Sequence, residues 1–110
     1  MSVIVVGLNH RTVPVELLER TTVPEDRLAK VLHDLAAREH LLEVAVLSTC
    51  NRTEIYARGT HFHAAVADVH EFLSAYSGAS PDEFEEHLYT FYDDAAVGHL
   101  FAVEIGRAHV

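Results

Sequence analysis

Val44-Ala45-Val46-Leu47-Ser48-Thr49-Cys50-Asn51-Arg52-Thr53-Glu54-Ile55-Tyr56-Ala57 is the stretch from which the rest of the chain can be laid out. An apolar run gives way to a polar connection, and a second strand-like run starts at Thr53. The connection has no room for a helix, so the two runs form a hairpin with the only cysteine at its tip. An arginine stands two residues beyond that cysteine. A thiol at a strand end beside a guanidinium has the makings of an activated nucleophile, because positive charge favours the reactive thiolate. A lone cysteine is more often a small buried hydrophobe. Cys50 departs from that pattern: it follows the apolar run, and Thr49, Asn51 and Arg52 around it all carry hydrogen-bonding side chains.

Upstream, Val3-Ile4-Val5-Val6 is a β-branched run ending at Gly7, the mark of a buried central strand. The loop Asn9-His10-Arg11-Thr12 leaves that strand and is expected to neighbour Cys50. Pro14 then opens a short helix that packs through Leu17 and Leu18. Val23-Pro24-Glu25-Asp26 starts a longer helix with proline in its first position. Its buried face is Leu28, Val31, Leu32 and Leu35, and it ends around Glu39-His40. Downstream, Phe62, Val66, Val69, Leu73 and Tyr76 recur at helical spacing. Ser80 and Glu83 have capping-box spacing. Leu88 to Tyr92 reads as a fourth strand. Asp93 is expected to cap a last helix carrying Val97, Leu100 and Phe101. The order β-α-β-β-α-β predicts an α+β, ferredoxin-like fold: an antiparallel four-stranded sheet with helices on one face, plus a C-terminal helix.

The 110 residues fit one domain with a modest core, 49% hydrophobic and 23% charged. No run approaches the roughly 18 consecutive apolar residues of a membrane span. The first residues lack the basic start of a secretory signal. One cysteine forms no internal disulfide, which suits a reducing, cytoplasmic setting. Eight basic residues stand against 17 acids, a net charge of −9, with no basic run. Such a domain is not expected to grip nucleic acid by its backbone unaided. His61, His63 and His70 raise a metal reading, but only His63 and His70 could share a helix face and no cysteine or third ligand lies at helical spacing with them, so no metal is expected. No Gly-x-Gly-x-x-Gly follows a strand, so no dinucleotide site is expected.

The block Ser48 to Tyr56 resembles the active-site signature of the glutamyl-tRNA reductase family. Gly7-Leu8-Asn9-His10-Arg11-Thr12-Val13-Pro14-Val15-Glu16-Leu17-Leu18-Glu19-Arg20 and Ala96-Val97-Gly98-His99-Leu100-Phe101 resemble two further blocks of it. The resemblance runs in order from residue 3 to about residue 103. It implies NADPH-dependent reduction of glutamyl-tRNA to glutamate-1-semialdehyde, the first step of the five-carbon route to tetrapyrroles. By that resemblance Cys50 is the nucleophile that carries the glutamyl group as a thioester, and His99 is a second catalytic residue. Thr49, Cys50, Asn51 and Arg52 match substrate-contacting positions. Arg52 then either pairs with the substrate carboxylate or helps ionise Cys50. The implied partners are glutamyl-tRNA, a second copy of the full-length chain and glutamate-1-semialdehyde aminotransferase.

On this reading residues 1–103 are an N-terminal catalytic domain truncated before NADPH-binding and dimerisation domains. Residues 104–110 are expected to be a non-native tail, since GAG ATC GGA AGA GCA CAC GTC encodes them and resembles a common sequencing adapter. The competing reading is a non-enzymatic ferredoxin-like module that binds a small ligand. Cys50 separates the two, because a binding module has no use for an accessible reactive thiol.

Overall fold

β-branched residues pack well on a pleated surface, and the run Val3 to Val6 forms the centre of strand β1, Ser2–Asn9. A computed structural model describes residues 2–96, 98 and 99. Helix α1 (Val15–Thr21) follows, then a 3-10 turn (Glu25–Arg27) that runs into α2 (Leu28–Ala36). Strands β2 (Leu41–Ser48) and β3 (Arg52–Gly59) form the hairpin. Helix α3 (Phe62–Ser77), the short α4 (Pro81–Phe84), a 3-10 turn (Glu85–His87) and strand β4 (Tyr89–Tyr92) complete the order. The four strands lie in the order β2-β3-β1-β4, and every neighbouring pair is antiparallel.

Alternation along the strands gives the sheet two unlike faces. Ile4, Val6 and Leu8 of β1 join Ile55 and Ala57 of β3 on one face. Val31 and Leu35 of α2 and Val69, Phe72 and Leu73 of α3 close over them. Each of these large side chains contributes about 1.5–3 kcal/mol by leaving water. The other face carries Val5 and Gly7 of β1, Glu54 and Tyr56 of β3, and Tyr89 and Phe91 of β4, by the strand register. This second face is not a solvated one: Val5 is 0% exposed. Residues 94–96, 98 and 99 are helical and lie along it, with Ala96 buried and the His99 ring against Phe91. The expected helix positions Val97, Leu100 and Phe101, and the tail 104–110, lie outside the described residues.

The structure departs from the sequence reading in local ways. β1 continues through Gly7 to Asn9. The long helix opens as a 3-10 turn with Pro24 at its cap, because Pro24 is extended at ψ 156°. It ends at Ala36, where the chain turns so that the His40 N–H reaches the Asp68 carboxylate. Asp93 adopts a left-handed φ of 53° and bonds Val3 through both its N–H and its carboxylate. Its carboxylate therefore fastens β4 to β1. The capping box at Ser80 and Glu83 is present.

Gly78 ends α3 in the left-handed region, φ 73°, with the Arg20 guanidinium donating to the adjacent Ser77 carbonyl. Gly78→Ala meets no crowding there. It is expected to cost about 1–2 kcal/mol through backbone strain alone, read as a lower urea midpoint with an unchanged slope.

Candidate active site

The connection from β2 to β3 is held by its own backbone and by Thr49. The Thr49 N–H donates to the Arg52 carbonyl at 2.8 Å, and the Thr49 hydroxyl accepts from the N–H groups of Asn51 (3.2 Å) and Arg52 (3.3 Å). The His10 N–H donates to the Asn51 carbonyl at 2.9 Å. This bond brings the Asn9-His10-Arg11 loop beside the cysteine loop. Asn9 stiffens its own loop by accepting from the N–H groups of Arg11 and Thr12. Cys50 stands exposed at the tip of the assembly.

A run of polar contacts anchors the base of the hairpin. The Val23 N–H donates to Ser48 Oγ at 2.8 Å, and Ser48 Oγ lies 2.8 Å from Thr53 Oγ1. Thr53 Oγ1 in turn donates to the Thr21 carbonyl at 3.3 Å. Ser48 therefore supplies the proton in the middle contact, and every hydroxyl in the run is used. Thr21 and Thr53 are buried, so these bonds tie the end of α1 to the hairpin in a setting where an unmade bond would be costly.

On the second face, Arg52, Glu54 and Tyr56 alternate along β3 and point the same way. Glu54 is fully buried and draws in groups from three parts of the chain. Its Oε1 accepts from the Tyr56 hydroxyl at 2.8 Å. Its Oε2 accepts from the Tyr89 hydroxyl at 2.5 Å and lies 2.6 Å from His99 Nε2 and 3.8 Å from Arg52 Nη1. Burial by itself would raise the Glu54 carboxyl. The hydrogen bonds from Tyr89, His99 and Tyr56, with the charge on His99, together outweigh it and hold the group below its usual range. Burial and the Glu54 carboxylate push the Tyr89 phenol well above its usual range, so it donates throughout the physiological window.

A depressed carboxyl contributes stability above its ordinary value of 4.5, and that contribution is lost as pH falls through the lower folded value. The stability gap between the natural chain and Glu54→Gln is therefore expected to be full at about pH 7 and to close towards about pH 3. Urea titrations of both chains at the two pH values measure it.

The matched site residues thus fall into two connected groups. Thr49, Cys50 and Asn51 form the loop, while Arg52 and His99 converge on Glu54. Glu54, Tyr56 and Tyr89 were not singled out from sequence. Among the described residues no three His, Cys, Asp or Glu side chains gather to hold a metal. Nor do the described glycines form a nucleotide cradle: a Cβ on Gly7 would meet Tyr89, one on Gly59 would meet Ala65, Gly78 ends a helix, and Gly98, with nothing within 4 Å, stands alone in a helical stretch. These residues do not fit a dinucleotide. No described helix is long and apolar enough to cross a membrane. The groove of about 350 Å³ lined by Arg27, Lys30, Arg38, Phe72 and Tyr76 lies among the helices, away from this site. Its Lys30 and Arg38 are already paired with Asp34 and Glu71.

Residues 6–107 match the family model described as glutamyl-tRNAGlu reductase, N-terminal domain. The chain belongs to the glutamyl-tRNA reductase family. It is 56% identical over 106 residues to a glutamyl-tRNA reductase of Frankia alni, covering 96% of this chain and 23% of that relative. A glutamyl-tRNA reductase of Streptomyces avermitilis is 48% identical over 106 residues, with 96% of this chain and 19% of the relative covered. Among solved structures, the glutamyl-tRNA reductase from Methanopyrus kandleri superposes with a TM-score of 0.56 at 25% identity. That superposition covers 90% of this chain and 21% of the other. The chain therefore spans about a fifth to a quarter of the length of these relatives.

Proposed function

We propose that this chain carries the nucleophile and substrate-recognition part of a glutamyl-tRNA reductase, the first step of tetrapyrrole biosynthesis. The Cys50 thiol gives up its proton to His99, and the thiolate attacks the carbonyl carbon of the glutamyl ester. A C–S bond forms, the C–O bond to the terminal ribose breaks, and the released ribose oxygen takes up a proton. The product is a glutamyl thioester on Cys50. The observation that carries this reading is an exposed thiol on a loop tied down by Thr49 and His10, next to an arginine held by a buried carboxylate.

Arg52 is 31% exposed in its side chain, so it can receive the substrate carboxylate while staying near Glu54. Thr49 and Asn51 order the loop and offer polar contacts to the glutamyl group. His99 passes the proton that it takes from Cys50 at its free ring nitrogen to the departing ribose oxygen. NADPH is the reductant of the whole-length reaction, and the residues described do not fit it. A second copy of the full-length protein and glutamate-1-semialdehyde aminotransferase are partners of that whole protein, in the cytoplasm. The strand order β2-β3-β1-β4 supports the ferredoxin-like description.

Mixing the purified chain with glutamyl-tRNA and weighing it intact tests the proposal. A gain of one glutamyl residue, mapped to Cys50 and released by hydroxylamine, is the expected result. A folded chain that stays at its starting mass would instead favour a ligand-binding module.

A further inference from the structure

We propose that Glu54 is a positioning residue: it holds the proton of the His99 ring on Nε2 and so keeps Nδ1 free for proton exchange with the substrate. This role rests on the reading of Cys50 and His99 just given. The bonds at Glu54 decide where the proton sits. Tyr56 and Tyr89 approach the carboxylate as phenols and can only donate to it. Arg52 adds positive charge at 3.8 Å. Every group facing Glu54 thus calls for an ionised carboxylate, which is an acceptor only. At 2.6 Å from Oε2, His99 Nε2 must therefore carry a hydrogen. In a neutral imidazole the other nitrogen is then bare and basic.

Two tilted aromatic rings steady the imidazole as well. Its centroid lies 5.6 Å from the Tyr89 ring and 4.9 Å from the Phe91 ring. A ring flip that moved Nε2 off Glu54 would give up a bond to a buried charge. Among the described residues Nδ1 makes no hydrogen bond, and the side chain keeps 22% of its surface open. Tyr89 is the second support, since it bonds the same carboxylate oxygen and lies against the ring it steadies.

The test is a long-range proton–nitrogen correlation spectrum of the histidine-labelled chain at about pH 8, where an ordinary histidine is neutral. The His99 signals are identified by their loss in His99→Asn. The natural chain is expected to show a protonated Nε2 and a bare Nδ1. Glu54→Gln, whose amide donates as well as accepts, is expected to split the ring between both tautomers and to slow glutamyl transfer to Cys50 at least about tenfold. Glu54→Asp keeps the charge and is expected to recover part of the rate and the Nε2–H form. The assignment is overturned if the natural ring carries its proton on Nδ1. It is equally overturned if Glu54→Gln leaves the ring unchanged, or changes the ring and leaves the rate alone. Should Glu54→Gln fail to fold, the natural ring still decides the tautomer and Glu54→Asp the rate. A natural chain with the expected ring but no glutamyl adduct counts against the Cys50 reading and in favour of the ring assignment.

Discussion

Cys50→Ser is expected to abolish glutamyl capture, slowing it by about 1000-fold or more while leaving the fold intact. The difference lies in the attacking atom. A free thiol near neutral pH already exists as thiolate to a few per cent, and sulfur is intrinsically nucleophilic. A serine hydroxyl is far less acidic than a thiol, so its proton must be removed in the transition state itself, and a single imidazole does this at a much higher cost than it takes a thiol proton. Serine also makes a poorer product: an oxygen ester on the introduced hydroxyl would be no more activated than the ester it replaced. Because Cys50 is exposed at the tip of the connection, the exchange should change stability by less than about 0.5 kcal/mol. Intact-mass time courses and urea titrations of the two chains read both quantities. A serine chain that still gains a glutamyl group would place the nucleophile elsewhere.

Gly7→Ala is expected to be the most damaging small substitution on the second face. The Tyr89 side chain crosses over Gly7 to reach Glu54. A Cβ there would sit 2.8 Å from Tyr89 Cζ, 2.8 Å from its hydroxyl and 2.9 Å from Glu54 Cγ. The tyrosine tip could swing away in isolation, but doing so releases its bond to a buried charge. Overpacking of this kind costs about 1–3 kcal/mol, and the lost bond to a charged partner adds about 1.5–3 kcal/mol. A total of about 2.5–6 kcal/mol should follow, with His99 loosened at the same time. Urea denaturation gives the stability. The His99 nitrogen spectrum separates local damage from general loosening: a destabilised chain whose His99 signals are unchanged would count against the crossing as the cause.

The hairpin and the helix faces were legible because each rests on local periodicity. The apolar run into Thr49, the spacing of Leu28, Val31 and Leu35, and that of Phe62, Val69 and Leu73 all report neighbours within one element. Glu54 was not legible, although it stands inside the most informative stretch of the chain. Alternation puts Arg52, Glu54 and Tyr56 on one face, and a polar face on a sheet with helices on its other side normally means solvent. Here that face is covered, and the residues that cover it and satisfy Glu54 lie 35 and 45 positions away at Tyr89 and His99. No local pattern encodes such a partnership. Gly7 misled for a related reason. A glycine after a β-branched run reads as the strand's end, whereas here β1 continues to Asn9 and the missing side chain makes room for Tyr89.

The clasp between Asp93 and Val3 joins residues 90 positions apart. Loop closure on that scale comes late, after contacts that need less chain to be drawn together. The β2–β3 hairpin, by contrast, needs only its own residues. As the chain leaves the ribosome, the thiol is therefore on display well before β4 arrives to settle the central strand and satisfy Glu54. Until then Glu54 keeps its water and Arg52 its freedom. The reactive atom comes first and the environment that disciplines it comes last, so oxidation or alkylation of Cys50 should be most indiscriminate in the nascent chain.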